Sequence, residues 1–165
     1  MPSICAEDPG TPDAIALTDE LSAALAAITG DSGRSSFDPD DVRVPRARFA
    51  VARNADGQPI GCGAFRPLGE GVAEIKRMYA RAGNPGTGRA LLAFLESEAT
   101  ALGYRALWLE TRIANQRAVS FYSARGYTLI PNYGRYAGRA DAVCLAKQLA
   151  TPAGVSADNR TRPHP

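Results

Sequence analysis

The sequence predicts an α/β fold of the α+β kind, a mixed sheet with helices on its faces. Three observations predict it. Strand-like and helix-like apolar patterns alternate along residues 3–149. A glycine-rich turn, Gly83, Gly86 and Gly88, leads an apolar strand directly into an amphipathic helix. A second strand then runs through Asn115 into a shorter helix that Gly126 closes.

The elements follow in order. Ser3 to Glu7 reads as a short first strand. Asp13 is the expected cap of a helix that places Leu17, Leu21, Leu25 and Ile28 at near-helical spacing and stops at Gly30. Residues 30–42 read as a polar loop. Arg48 to Ala52 and Pro59 to Phe65 are strands around the Asp56-Gly57 turn. Val72 to Ala80 is the third member of that meander, after a turn at Gly69 to Gly71. The helix from Arg89 to Leu102 aligns Leu91, Leu95, Ala99 and Leu102 on one face, and Gly103 ends it. Ala106 to Thr111 is a strand, Gln116 to Arg125 a helix, Tyr127 to Ile130 a strand, and Ala142 to Lys147 the last strand. Residues 1–150 form one domain. Residues 151–165 are polar and Pro-rich without periodicity, and are expected to be a disordered tail.

Composition narrows the function classes. The 45% hydrophobic and 22% charged shares suit a soluble globular domain, and no apolar run reaches the length of a membrane span. The N-terminus carries Glu7 and Asp8 and no signal pattern, so a cytoplasmic protein is expected. Cys5, Cys62 and Cys144 form no CxxC pair and read as reduced thiols on strands. The one histidine, His164, lies in the tail, so the folded part holds no Ser–His–Asp triad and no histidine metal ligand; no metal is expected. Residues 1–41 carry nine acids against one base, and residues 42–150 sixteen bases against seven acids. The basic part suits phosphates and the acidic part a cationic acceptor. The bases form no run, so nucleic acid is not favoured.

The glycine turn points to a phosphorylated ligand. A helix start presents unpaired N–H groups and the positive end of the dipole, and glycines let a phosphate approach the backbone. A P-loop would need Lys then Ser or Thr after Gly88, where Arg89 and Ala90 stand. A dinucleotide fingerprint would need glycine at Leu91.

The two segments together resemble the GNAT superfamily of acetyl-CoA-dependent N-acetyltransferases. The family's acyl-CoA loop, Arg/Gln-x-x-Gly-x-Gly/Ala, corresponds to Gly83-Asn84-Pro85-Gly86-Thr87-Gly88, with Gly83 in place of Arg or Gln and a shorter turn. The family's second signature corresponds to Asn115 followed by Ala118, Phe121, Tyr122, Gly126 and Tyr127. The resemblance implies a mostly antiparallel sheet of about six to seven strands flanked by about four helices. It implies that this sheet splays at the acyl-CoA site. It implies acetyl-CoA as acyl donor and a primary amine, on a small molecule or peptide, as acceptor. It implies direct attack, without an acyl-enzyme. Tyr122 becomes the expected general acid and Glu74, on the cofactor strand, the expected general base, with Glu110 as runner-up. Met78, Tyr79 and Ala80 would offer strand amides. Gly83, Asn84, Gly86, Thr87, Gly88, Arg89 and Ala90 would cradle the pyrophosphate, with Asn115, Tyr122 and Arg125 completing the cofactor contacts. Tyr133, Arg135 and Tyr136 would lie at the acceptor pocket, Arg135 as a holder of an acceptor carboxylate. Lys76 and Arg77 read as solvated, with Lys76 on the same side of its strand as Glu74. Homodimers are common in the superfamily. Two other functions fit the same residues: a CoA-binding regulatory module without turnover, and acylation of a macromolecule such as a protein lysine or aminoacyl-tRNA.

Overall fold

A computed structural model describes residues 2–150; the expected tail lies outside the described residues. Its seven strands are β1 (Ser3–Ala6), β2 (Arg48–Arg53), β3 (Pro59–Gly69), β4 (Val72–Ala80), β5 (Ala106–Arg112), β6 (Thr128–Ile130) and β7 (Ala142–Gln148). They form one open sheet in the order β1-β2-β3-β4-β5-β7-β6. Every neighbouring pair is antiparallel except β4–β5. The described α-helices are α1 (Pro12–Thr29), α2 (Thr87–Ala101) and α3 (Gln116–Ala124). That is one fewer than expected. Residues 30–42 hold two single 3-10 turns instead, Arg34–Ser36 and Pro39–Val42, because Gly33 and Pro39 interrupt any longer run.

Local chemistry sets the helix ends. Thr11, not Asp13, caps α1: its Oγ1 accepts from Ala14 N–H at 3.4 Å. Pro12 has the φ of a first helical residue and needs no N–H partner there, so the helix starts earlier than the acid suggested. Gly30 ends it at φ 78°. Ala14, Leu17 and Leu21 are buried against the sheet, whereas Ile28 is half exposed. The apolar spacing therefore held for two turns and failed at the last.

The sheet has a core on each face. On one, α2 buries Leu91, Leu92, Leu95 and Ala99 against Ala50, Ile60, Phe65, Ile75 and Leu107. Each buried leucine contributes about 2 kcal/mol. On the other, Ala14 and Leu17 of α1 meet Phe49, Val51, Cys62 and Ala64. Glycines in β3 make the α2 contact close. A Cβ at Gly61 would stand 2.7 Å from Tyr79 O and 2.9 Å from Leu91 Cδ1, and one at Gly63 would overlap Met78 Sδ. The three cysteines are free and lie on β1, β3 and β7.

Two irregularities shape the site. Cys62 pairs with Tyr79 and Ala64 with Lys76, so Gly63 alone opposes both Arg77 and Met78. This bulge puts Arg77 at φ 56°, an uncommon value for a non-glycine residue. It also re-phases β4. Ile75 and Met78 pack on the α2 core, Tyr79 on the α1 core, and Arg77 reaches Thr18 and Ser22 on α1. Second, β4 and β5 pair only at Val72, Ala73 and Glu74 with Ala106, Leu107 and Trp108. Beyond Glu74 and Trp108 the two strands part, so the expected splay is present.

Candidate active site

The gap between the parted strands is a cleft of about 140 Å³. Met78 of β4 and Asn115, Ala118 and Tyr122 at and after the start of α3 line it, whereas the loop after β4 and the start of α2 do not. Gly83 and Gly86 take φ of 82° and 85°, which closes the short loop and makes Gly86 the N-cap of α2. Thr87 N–H bonds to Asn84 O and Ala90 N–H to Gly86 O. Among the described residues, the N–H groups of Gly88 and Arg89 have no backbone acceptor. Thr87 and Ala90, expected in the cradle, thus have their amides already committed. Asn84 is spent within the loop, its Nδ2 donating to Arg81 O and Ala82 O. Arg89 is exposed beside the free amides.

Asn115 caps α3, its Oδ1 accepting from Ala118 N–H at 3.3 Å, and it lines the cleft with Ala118 and Tyr122. Tyr122 is 7% exposed and packs edge-on against Phe121 and Tyr127. Among the described residues its hydroxyl has no hydrogen-bond partner. Burial alone pushes its phenol well above the usual value, so the proton stays on. Arg125 stacks over Phe121 at 4.4 Å, and its buried Nε has no partner. Phe121 in turn lies 3.5 Å from a Cβ built at Gly88, so the stack abuts the first turn of α2. Met78 lines the cleft; Tyr79 turns to Glu20 and Ala80 pairs with Gly61.

The acceptor end is where sequence reasoning and geometry diverge. Glu74 is 1% exposed and does not line the cleft. Its carboxylate accepts from Arg66 Nε at 2.9 Å and Tyr133 Oη at 2.5 Å, and sits 3.4 Å from Lys76 Nζ. A carboxylate so occupied is poorly placed to take a proton from a substrate. Glu110, two positions past the last pairing on β5, does line the cleft. Burial holds its carboxyl above the ordinary range, and its bonded neighbour Arg112 pulls it partly back.

Lys76 is not solvated: it is 8% exposed, lines the cleft and donates to Tyr136 Oη at 2.8 Å. Arg77 is half-buried, donating to Thr18 O, Ser22 Oγ and Ser32 O. The expected acceptor residues Tyr133 and Tyr136 join the Glu74 and Lys76 network, whereas Arg135 donates to Ser35 O at 2.8 Å. Residues 29–36 wall this end with Thr29, Asp31, Gly33 and Ser36. Neither that wall nor Arg112 was singled out from sequence. The isolated glycines inside β3, and the Glu-x-Lys spacing in β4, were the available signals for the bulge and the buried lysine. Among the described residues, no group of three His, Cys, Asp or Glu side chains could hold a metal ion, and no helix is long and apolar enough to cross a membrane.

A sheet parted in its middle, beside a helix start with free amides, is the frame of an acetyltransferase. The chain belongs to the acetyltransferase (GNAT) family, whose model matches residues 16–127. It is 33% identical over 139 residues to an IAA acetyltransferase of Azospirillum brasilense, an alignment covering 81% of this chain and 89% of the relative. Its structure is similar to that of a Klebsiella pneumoniae protein assigned to the acyl-CoA N-acyltransferases, with a TM-score of 0.76, 28% identity, and coverage of 91% and 99% of the two chains. An Elizabethkingia anophelis GNAT acetyltransferase, solved with acetyl-CoA bound, shares the fold at a TM-score of 0.65 and 18% identity, over 90% of this chain and 98% of that one.

Proposed function

We propose that this chain transfers an acetyl group from acetyl-CoA to the primary amine of a small molecule. One observation carries the reading: a buried acid with a free hydroxyl, Tyr122, and a partly buried carboxylate, Glu110, line the same cleft. The free amides of Gly88 and Arg89, the β4 edge left open by β5, and Arg89 and Arg125 suit the phosphates and pantetheine of the donor. The E. anophelis relative, with acetyl-CoA bound in the same fold, supports that choice of donor.

The thioester supplies an activated acetyl group. The acceptor arrives as an ammonium; Glu110 takes one proton from it and passes that proton to solvent, which frees the nitrogen lone pair. Glu110 then takes the second proton as the lone pair forms the new C–N bond. Tyr122 gives its proton to the sulfur as the C–S bond breaks, and solvent returns the second proton from Glu110 to the phenolate. The balance is ammonium plus acetyl-CoA to N-acetyl amine plus CoA thiol, with one proton released to solvent. An open backbone N–H on β4 polarises the carbonyl. Glu74 is assigned a structural duty, fixing Arg66, Lys76 and Tyr133.

The acceptor end favours a small molecule over a protein lysine. The 29–36 wall is tied down by Arg77 to Ser32 O and by Arg135 to Ser35 O, and a wall fixed in this way suits a small acceptor. Arg135, so employed, is not assigned to an acceptor carboxylate. The test is thiol release from acetyl-CoA with a panel of small amines, peptides and a lysine-rich protein, with mass analysis of the product. Acetylated small amines are expected. Transfer confined to the protein would contradict the acceptor class, and no transfer to any member would leave a CoA-binding module as the better reading.

A further inference from the structure

The charged groups around the cleft form a chain of alternating sign. On the β4 side, Asp41 lies 3.1 Å from Arg66, Arg66 2.9 Å from Glu74, and Glu74 3.4 Å from Lys76. On the β5 side, Glu110 contacts Arg112, which stands 3.6 Å from Asp31 and 3.7 Å from Asp141, itself 3.1 Å from Arg139. The chain is interrupted at one place, between Lys76 and Glu110. That is where the strands part. Glu74 pairs with Trp108 in the last parallel step. Lys76 and Glu110 are each two residues further along their strands, on the same face, and both line the cleft.

Lys76 is unusual in this position. An ammonium this deeply buried loses hydration and needs a partner. Its bonded neighbour is neutral Tyr136 Oη at 2.8 Å, and its nearest carboxylate, Glu74, is already shared with Arg66. The groups facing Glu110 are Lys76 and Glu74 from β4, Arg112 on its own strand with Asp31 behind it, Arg139 and Asp141 from the segment before β7, and Cys144 across the β7 register. Lys76 and Arg77 are the β4 cations that line the cleft; Arg77 donates to Thr18 O, Ser22 Oγ and Ser32 O, which leaves Lys76 as the β4 cation opposite Glu110.

We propose that Lys76 is the electrostatic partner of Glu110 in amine deprotonation, with the acceptor nitrogen held in the gap between them. The inference rests on the reading of Glu110 as base. An ammonium entering the gap meets a like charge on one side and a carboxylate on the other, so its proton is driven toward Glu110. With the gap empty, the same charge keeps Glu110 ionised despite burial. Lys76 is a positioning residue: it acts through Glu110 and touches no reacting bond.

The test is NMR of the free protein. The Glu110 side-chain carboxyl carbon is titrated in 13C-glutamate-labelled wild type, Lys76→Gln and Lys76→Arg, with Glu110→Gln supplying the assignment. Glutamine removes the charge and keeps an amide donor one bond shorter, and arginine keeps the charge. The midpoint is expected to rise by about one pH unit in Lys76→Gln, a tenfold change in proton affinity, and to stay near wild type in Lys76→Arg. An unchanged Glu110 midpoint in Lys76→Gln, or a midpoint raised equally in Lys76→Arg, would overturn the proposal. The titration needs neither donor nor acceptor, so a failed amine panel and a failed pairing remain distinguishable.

Discussion

Replacing Glu110 by glutamine is expected to lower kcat/KM for the amine by about 10²- to 10³-fold, the usual size of a lost general base. The change keeps the shape of the side chain and a hydrogen-bonding oxygen for Arg112. Donor binding at the far end of the cleft should therefore be unaffected. The pH profile carries the sharper signature. The base works ionised, and burial holds its carboxyl above the ordinary range. Wild-type activity should thus fall on the acid side at a higher pH than an exposed glutamate would give, and Glu110→Gln should lose that limb altogether. Glu74→Gln is the control. It removes a charge from the Arg66, Lys76 and Tyr133 network, so it should cost stability while retaining the acid limb. A Glu74→Gln variant that lost the limb, beside a Glu110→Gln variant that kept it, would reverse the assignment.

Tyr122→Phe is expected to lower kcat by about 10²-fold with little change in KM for acetyl-CoA. The phenyl ring preserves the edge-on packing with Phe121 and Tyr127, so the fold is retained. Only the proton for the departing thiolate is lost. Because burial raises the phenol well above its ordinary value, wild-type activity should show no alkaline loss from Tyr122 at the pH of a free tyrosine. Measurement of kcat against pH for both proteins checks this. Equal activity across the range would remove Tyr122 from the mechanism.

The parts legible in the sequence are those whose causes are local. Glycines that take positive φ, a 3.6-residue apolar stripe on α2, and Asn115 as a cap each follow from the demands of a few neighbouring residues. So the strand–turn–helix unit and the second motif were readable, and the splay of the sheet came only through the family resemblance those two motifs carry. The features not legible involve contacts distant in sequence. Glu74 and Glu110 both sit on central strands, and the proposal of Glu110 over Glu74 rests on Arg66 and Tyr133 occupying the Glu74 carboxylate. Lys76 looked solvated because its burial comes from Tyr136, sixty residues away. The bulge at Arg77 depends on a register that Gly63 permits but does not dictate. Ile28 extended a helical stripe past the point where the sheet is there to cover it.

The central claim is that the cleft holds acetyl-CoA. Thermal unfolding with excess acetyl-CoA, with CoA and ATP as controls, tests it most directly. At about 100 times Kd, a ligand bound only by the folded state adds ~2.7 kcal/mol. For a domain of this size that is a rise of roughly 5–10 °C in Tm. The account predicts this rise with acetyl-CoA and CoA and none with ATP. No change with millimolar acetyl-CoA, or an equal rise with ATP, would contradict it.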